Sequence, residues 1–150
     1  MSVDVLTQIV IARPVGLVAG YAADPSNAAH WYVNIRSVRW ETTPALAVGS
    51  RVTFEAQFLG RQLRYTYEII EFEPLARLVM RTAQGPFPMQ TTYTWAGLDD
   101  ASTLMCLRNR GEPAGFSKLT APAMAKAMRR ANTKDLARLK ALLETHEPQQ

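Results

Sequence analysis

The stretch YEIIEFEPLARLVMR, Tyr67 to Arg81, decides how this chain is read. Two strand-like runs flank Glu73-Pro74, and neither carries a catalytic motif. Either they are plain structural sheet or they form one wall of a pocket. Their neighbours on both sides bear on the choice.

Toward the N-terminus, QLRYTYEI continues the pattern, with Leu63, Tyr65, Tyr67 and Ile69 on one face. Before it, RVTFEAQF alternates Val52, Phe54, Ala56 and Phe58 with mostly polar residues. Gly60 lies between these runs and marks a hairpin. Toward the C-terminus, EPLA separates the two central runs and LVMR is a short strand presenting Met80. GPFP then breaks the chain, and MQTTYTWA alternates Met89, Thr91, Tyr93 and Trp95. GLDDAS is a further turn and TLMCLRNR a last strand. Residues 35–110 thus predict six strands joined by short turns, which favours antiparallel neighbours.

The two ends read differently. VDVLTQIVIA, residues 3–12, is a first strand rich in β-branched types. Pro14 opens a short helix over about 14–22, and DPSN, with Asp24 as cap and Pro25 following, opens another over about 25–31. TAPAMAKAMRRANTKDLARLKALLETH is rich in strong helix formers, with Thr120 as a cap and Pro122 near the start. Met124, Met128, Asn132, Leu136 or Asp135, Leu139, Leu142 and Leu143 recur on it at helical spacing. The expected fold is α+β. A seven-stranded curved antiparallel sheet wraps around a long C-terminal helix, with two short helices after the first strand. One helix of about 24 residues spans roughly 36 Å and covers such a sheet without filling its concavity.

Bulk properties narrow the classes. The 150 residues are expected to form one domain over 1–150, large enough to bury roughly 70% of the unfolded chain's surface. Cys106 stands alone, which excludes an internal disulfide framework and fits a reducing cytoplasm. No apolar run approaches the ~18 residues of a membrane span. IVIARPVGLVAGYAA is broken by Arg13, Pro14 and two glycines and lacks a basic start, so no signal peptide is read. The net charge of +4 comes largely from Lys118, Lys126, Arg129, Arg130, Lys134, Arg138 and Lys140 near the end.

With SNAAHWYVNIRSV after the helix pair, YEIIEFEPLARLVMR in mid-sheet and NTKDLARLKALLE at the end, the chain resembles the polyketide cyclase/dehydrase and lipid-transport family. That family belongs to the START-like (SRPBCC) superfamily with its helix-grip fold. Pro14, Asp24, Trp31, Gly49, Glu73-Pro74, Asn132, Leu136, Leu139-Lys140 and Glu144 carry the resemblance over nearly the whole chain. It implies a deep, largely apolar cavity between the sheet and the last helix. It implies no catalytic residue, since members include carriers, aromatase/cyclases and co-chaperones.

Candidate ligand-binding residues follow from the alternation. Strand residues Phe54, Phe58, Tyr65, Tyr67 and Met80 face inward, with Tyr93, Trp95, Met105 and Leu107 beyond them. Met124 and Met128 join them from the helix, and Trp31 and Phe87 from the mouth. Rings with polar tips and flexible Met side chains suit varied apolar guests, and they equally suit an ordinary core. Asn132 is a polar break in the helix stripe, either bonded to the sheet or offered to a ligand. The last strand leaves a fork, with Met105, Leu107 and Asn109 inward or else Leu104, Cys106, Arg108 and Arg110. The first set is favoured because two buried arginines need partners. His30 beside Trp31 lacks an identifiable orienting partner, and His146 is expected to lie in a frayed tail. Cys106 reads as a small buried residue. Neither a metal set nor a nucleotide motif is present, so no cofactor and no nucleic-acid partner are expected.

Three functions stay open. The first is binding of a small hydrophobic or aromatic molecule, polyketide-like, fatty acyl or sterol-like, entering past AQGPFPM. The second is a cyclase or dehydratase that works by positioning, with Tyr65, Tyr67 or Tyr93 donating to an enolate. The third is an interaction module using the basic helix face.

Overall fold

A computed structural model describes residues 2–112 and 120–145. Lys118 and His146 lie outside the described residues. Strand β1 is Val3–Ile11, followed by helix α1, Val15–Ala23. A 3-10 turn, Pro25–Asn27, leads into α2, Ala28–Trp31. Then come β2, Ile35–Trp40; β3, Arg51–Phe58; β4, Arg61–Glu73; and β5, Arg77–Gln84. β6, Met89–Asp99, and β7, Ser102–Gly111, complete the strands, and α3 is Ala121–Thr145. The sheet has seven strands in the order β1-β7-β6-β5-β4-β3-β2, and every neighbouring pair is antiparallel.

The helix starts differ in detail from the sequence reading. Pro14 is the N-cap of α1 with extended backbone, one residue outside the helix. Its own carbonyl accepts from Val18 N, which its fixed φ permits. The second short helix begins as the 3-10 turn because the Asp24 carboxylate accepts from Ser26 N at 2.9 Å, tightening the first turn. On α3, Thr120 caps as expected, its carbonyl accepting from Met124 N at 2.9 Å.

The stretch from Tyr67 to Arg81 is a hairpin. β4 and β5 meet at Pro74–Ala76, where Ala76 N donates to Glu73 O and Leu75 takes a φ of +67°. Register shifts between Thr66 and Tyr67 and between Ile69 and Glu71 bend β4, and bulges of this kind raise local twist. The hairpin before it turns on Leu59 and Gly60, both at positive φ, which is the geometry a two-residue link between twisted strands prefers.

α3 lies along β1, with α2 at its flank. Its C-terminal end is clasped to the strand that precedes α1. Ala12 N donates to Glu144 Oε2 at 2.7 Å, and Arg13 Nε donates to the Leu143 carbonyl at 2.8 Å. Lys140 Nζ bridges Glu144 and the Val10 carbonyl. Leu136, Leu139 and Leu143 bury against the main core with Ile11, Val18 and Trp31. Met124 and Met128 form a second, smaller cluster with Val3 and Val5. Because the helix leans on the β1 edge, the inner face of β3, β4 and β5 is left partly uncovered.

Candidate ligand-binding site

The uncovered region is a cavity of about 140 Å³. Its floor is a row of side chains that the strand register sets opposite one another: Phe54 with Tyr65, Tyr67 with Thr82, and Met80 with Thr91 and then Asn109. The rings of Phe54, Tyr65 and Tyr67 meet one another with centroids 5.1–5.9 Å apart, tilted or edge-on. Such contacts stabilise by more than their buried area alone. Phe58 and Leu63 extend this wall, and Pro86, Phe87 and Met89 form a lip. The lip sits close. A Cβ added at Gly85 would lie 2.9 Å from Tyr65 Cβ, so a side chain there would push against the wall. From the helix side come Met128, Ala131, Asn132 and Asp135. Tyr32 and Tyr93 close the end nearest α2.

Three sets of polar groups in this lining bear on a guest. Thr91 Oγ1 donates to Asn109 Oδ1 at 2.6 Å. A threonine has one hydroxyl proton, so the Tyr67 hydroxyl, 2.8 Å away, is the donor to Thr91. The Tyr67 proton is thereby used within the wall and is not offered to a guest. Tyr32 and Tyr93 share a short hydroxyl–hydroxyl hydrogen bond, which leaves one proton of the pair free. The Tyr65 hydroxyl has no hydrogen-bond partner among the described residues. Burial holds all four phenols neutral: Tyr67 is pushed up to about 12, and Tyr32, Tyr65 and Tyr93 stand well above the usual phenol range.

The third set is on α3. Asn132 is 6% exposed, and its Nδ2 is buried with no hydrogen-bond partner. Asp135 is 3% exposed and accepts from Val33 N at 2.9 Å through one carboxyl oxygen. Burial pushes its carboxyl up to about 7, against the Val33 hydrogen bond and the positive charge of Arg138.

Ten of the candidate residues are brought together around the cavity: Phe54, Phe58, Tyr65, Tyr67 and Met80 with Phe87, Tyr93, Asn109, Met128 and Asn132. Four are placed elsewhere. Trp31 of α2 is in the main core with Trp95 and Met105, which lie beneath α1, and Met124 is in the smaller cluster beside Val3 and Val5. They face inward where helices already cover the sheet, so packing takes them up. Trp31 still supports the site, because its ring backs Tyr32 and Tyr93. The fork in β7 resolves to Met105, Leu107 and Asn109 inward, with Met105 and Leu107 fully buried. Arg108 faces out, where its guanidinium takes Asp4 in a paired contact, one arm at 2.8 Å. Cys106 is half-buried on that outer face near Gln8, less enclosed than the sequence predicts. His30 is exposed, 3.4 Å from the Tyr21 hydroxyl and outside the cavity lining. Tyr32 and Asp135 are functional candidates that the strand alternation does not mark. Asp135 had a signal in its three-residue spacing from Asn132, while Tyr32 follows a helix end with no period to place it.

Among the described residues, no three His, Cys, Asp or Glu side chains come together as a metal's ligands would. No helix among them is long and apolar enough to cross a membrane.

The family model described as polyketide cyclase/dehydrase and lipid transport matches residues 2–144. The chain belongs to that family. It shares the START-like helix-grip fold with solved structures of low sequence identity. A START superfamily protein from Mycobacterium smegmatis superposes with a TM-score of 0.83 at 12% identity, covering 95% of this chain and 97% of its own. The Zhui aromatase/cyclase from Streptomyces sp. R1128 gives 0.77 at 19% identity, covering 96% and 94%. TTHA0849 from Thermus thermophilus gives 0.80 at 19%, covering 96% and 99%. No curated protein matches the chain by sequence. The apolar hollow between sheet and α3 is of the kind typical of this family.

Proposed function

We propose that this family member binds a small, mainly aromatic molecule in the hollow between the sheet and α3. The observation that carries this reading is the Asn132 amide, buried at an aromatic-walled hollow with its Nδ2 unpartnered. An unsatisfied buried polar group costs about 1–3 kcal/mol, which a guest carrying an acceptor would relieve. The volume of about 140 Å³ suits a single ring, since an apolar cavity of roughly 150 Å³ holds benzene. A sterol-like or long polyketide-like guest would require the Gly85–Pro88 lip to move off Tyr65. Burying ~200 Å² of a ring gives ~5 kcal/mol gross, and the cost of association leaves an expected Kd that is millimolar or weaker. Calorimetric titration with toluene tests this. Saturable binding is expected in the wild-type chain and none in Ala131→Phe, which fills the hollow. Absence of binding in both, or equal binding in both, would remove the hollow as the site.

One observation favours a second reading, an enzyme of the cyclase or dehydratase type. Asp135 sits in the hollow with its carboxyl raised to about 7, where a general base works best. Tyr65, or the free proton of the Tyr32–Tyr93 pair, would donate to an enolate oxygen as Asp135 takes the proton from carbon. Tyr67 is excluded from that role by its bond to Thr91. The test is deuterium exchange at the methyl group of bound acetophenone. Asp135→Asn should slow exchange at least ~100-fold while binding persists. Exchange no faster than in buffer would leave the binding reading alone.

A further inference from the structure

Asn132 and Asp135 are three residues apart on α3, so they leave the helix on one face, with Cβ atoms about 5–6 Å apart. Both are more than nine-tenths buried and both line the hollow. Their needs are opposite. The amide Nδ2 is a donor without an acceptor. The carboxyl of Asp135 spends one lone pair on Val33 N and has further acceptor capacity. A hydroxyl is donor and acceptor at once, so one such group can answer both. A carbonyl or ether oxygen answers only the amide, and a bare hydrocarbon answers neither.

The rest of the hollow is ring-sized and ring-walled. We propose that Asn132 and Asp135 form a two-point clamp that selects a phenol-class guest, whose hydroxyl oxygen accepts from Asn132 Nδ2–H and whose O–H donates to the Asp135 carboxylate. This rests on the ligand-binding reading above and names the chemistry its guest must carry. Asp135 is faced by Arg138 from its own helix, by Tyr32 and the Val33 N–H from the segment after α2, and by Tyr65 and Tyr93 from the sheet. A phenol donating to the ionised carboxylate favours that form. Binding of phenol near neutral pH therefore releases part of a proton, whereas binding of toluene does not.

The experiment is calorimetric titration of the full chain at pH 7 with phenol, anisole and toluene, in buffers of different ionisation enthalpy. Phenol is expected to bind about tenfold tighter than toluene, the scale of two made hydrogen bonds over none. Anisole, which answers only the amide, is expected to fall between toluene and phenol, and only phenol's heat should vary with buffer. An apolar hollow without the clamp would rank toluene first, because phenol gives up its hydrogen bonds to water. Asn132→Leu should erase the preference for phenol while keeping toluene. Asp135→Asn retains an acceptor for Val33 N, and should weaken phenol severalfold and abolish the buffer dependence. Toluene binding as tightly as phenol in the wild-type chain overturns the clamp and leaves the hollow standing. Binding of none of the three overturns both. Phenol affinity and proton release unchanged in Asp135→Asn overturn the part assigned to Asp135.

Discussion

Two stretches of the same helix treat the sheet differently. Leu136, Leu139 and Leu143 sink into a continuous core, whereas Met128, Ala131, Asn132 and Asp135 look onto a hollow. Secondary structure does not distinguish them, because α3 is unbroken from Ala121 to Thr145. What differs is the partner across the gap. The leucine stretch shares a filled core with Ile11, Val18 and Trp31, and it is held down by the Glu144, Lys140 and Arg13 clasp. The upstream stretch faces the middle of β3, β4 and β5, where the bent sheet curves away and nothing intervenes. Stability is concentrated in one stretch and the candidate site in the other, and each can be perturbed alone.

The largest expected effect is on the packed stretch. Leu139→Ala should cost about 3 kcal/mol, because a fully buried leucine is deleted from a filled core. Met128→Ala, at the edge of a space already empty on one side, should cost only about 1 kcal/mol. Urea denaturation of both variants checks the contrast. Equal losses would mean that the two stretches are packed alike.

Next in size is the pH response of Asp135. Its folded value of about 7 lies above its unfolded value of about 3.9, so between these the folded chain holds a proton that the unfolded chain has released. The stability contributed by this group is complete below pH ~4 and is lost as pH rises through ~7. Asp4 and Glu144 are lowered, chiefly by hydrogen bonds from Arg108 and from Ala12 N, and they act in the opposite sense, losing stability as pH falls. Those contributions are common to wild type and variant and cancel in the difference. Stability of Asp135→Asn minus wild type should therefore rise by on the order of 3 kcal/mol between pH 4 and 8. A flat difference would mean that Asp135 is solvated rather than buried in the hollow.

The sequence carried most of the architecture and part of the site, for physical reasons. Strand alternation at Phe54, Tyr65, Tyr67 and Tyr93, punctuated by Gly60, Pro74 and the Pro86–Pro88 pair, is local information, and it fixes which side chains face inward. It does not say how far along each strand a helix lies. Trp95 and Met105 alternate as faithfully as Tyr93 and Asn109, yet they end beneath α1, because covering is a tertiary matter. Asp135 was open to view as a helix-stripe position, but Leu136 competes for the same face, and only the curvature of the sheet shows that both are buried. Tyr32 sits one residue past α2 in extended backbone, where no periodicity applies.

The smallest expected effect lies outside both stretches. Leu59 holds a φ of +53° in the β3–β4 turn, a conformation that costs a branched side chain. Leu59→Gly should raise stability by about 0.5 kcal/mol and leave ligand affinity unchanged. A change in affinity would show that this turn is coupled to the hollow.

The methionines offer the most direct measurement. Met80, Met89 and Met128 line the hollow, while Met105 and Met124 are fully buried in packed clusters. With 13C-methyl-labelled methionine, titration by toluene should shift the Met80, Met89 and Met128 signals saturably through the ring current and leave Met105 and Met124 in place. Shifts that never saturate, or that spread equally to Met105 and Met124, would contradict a guest seated under the upstream stretch of α3.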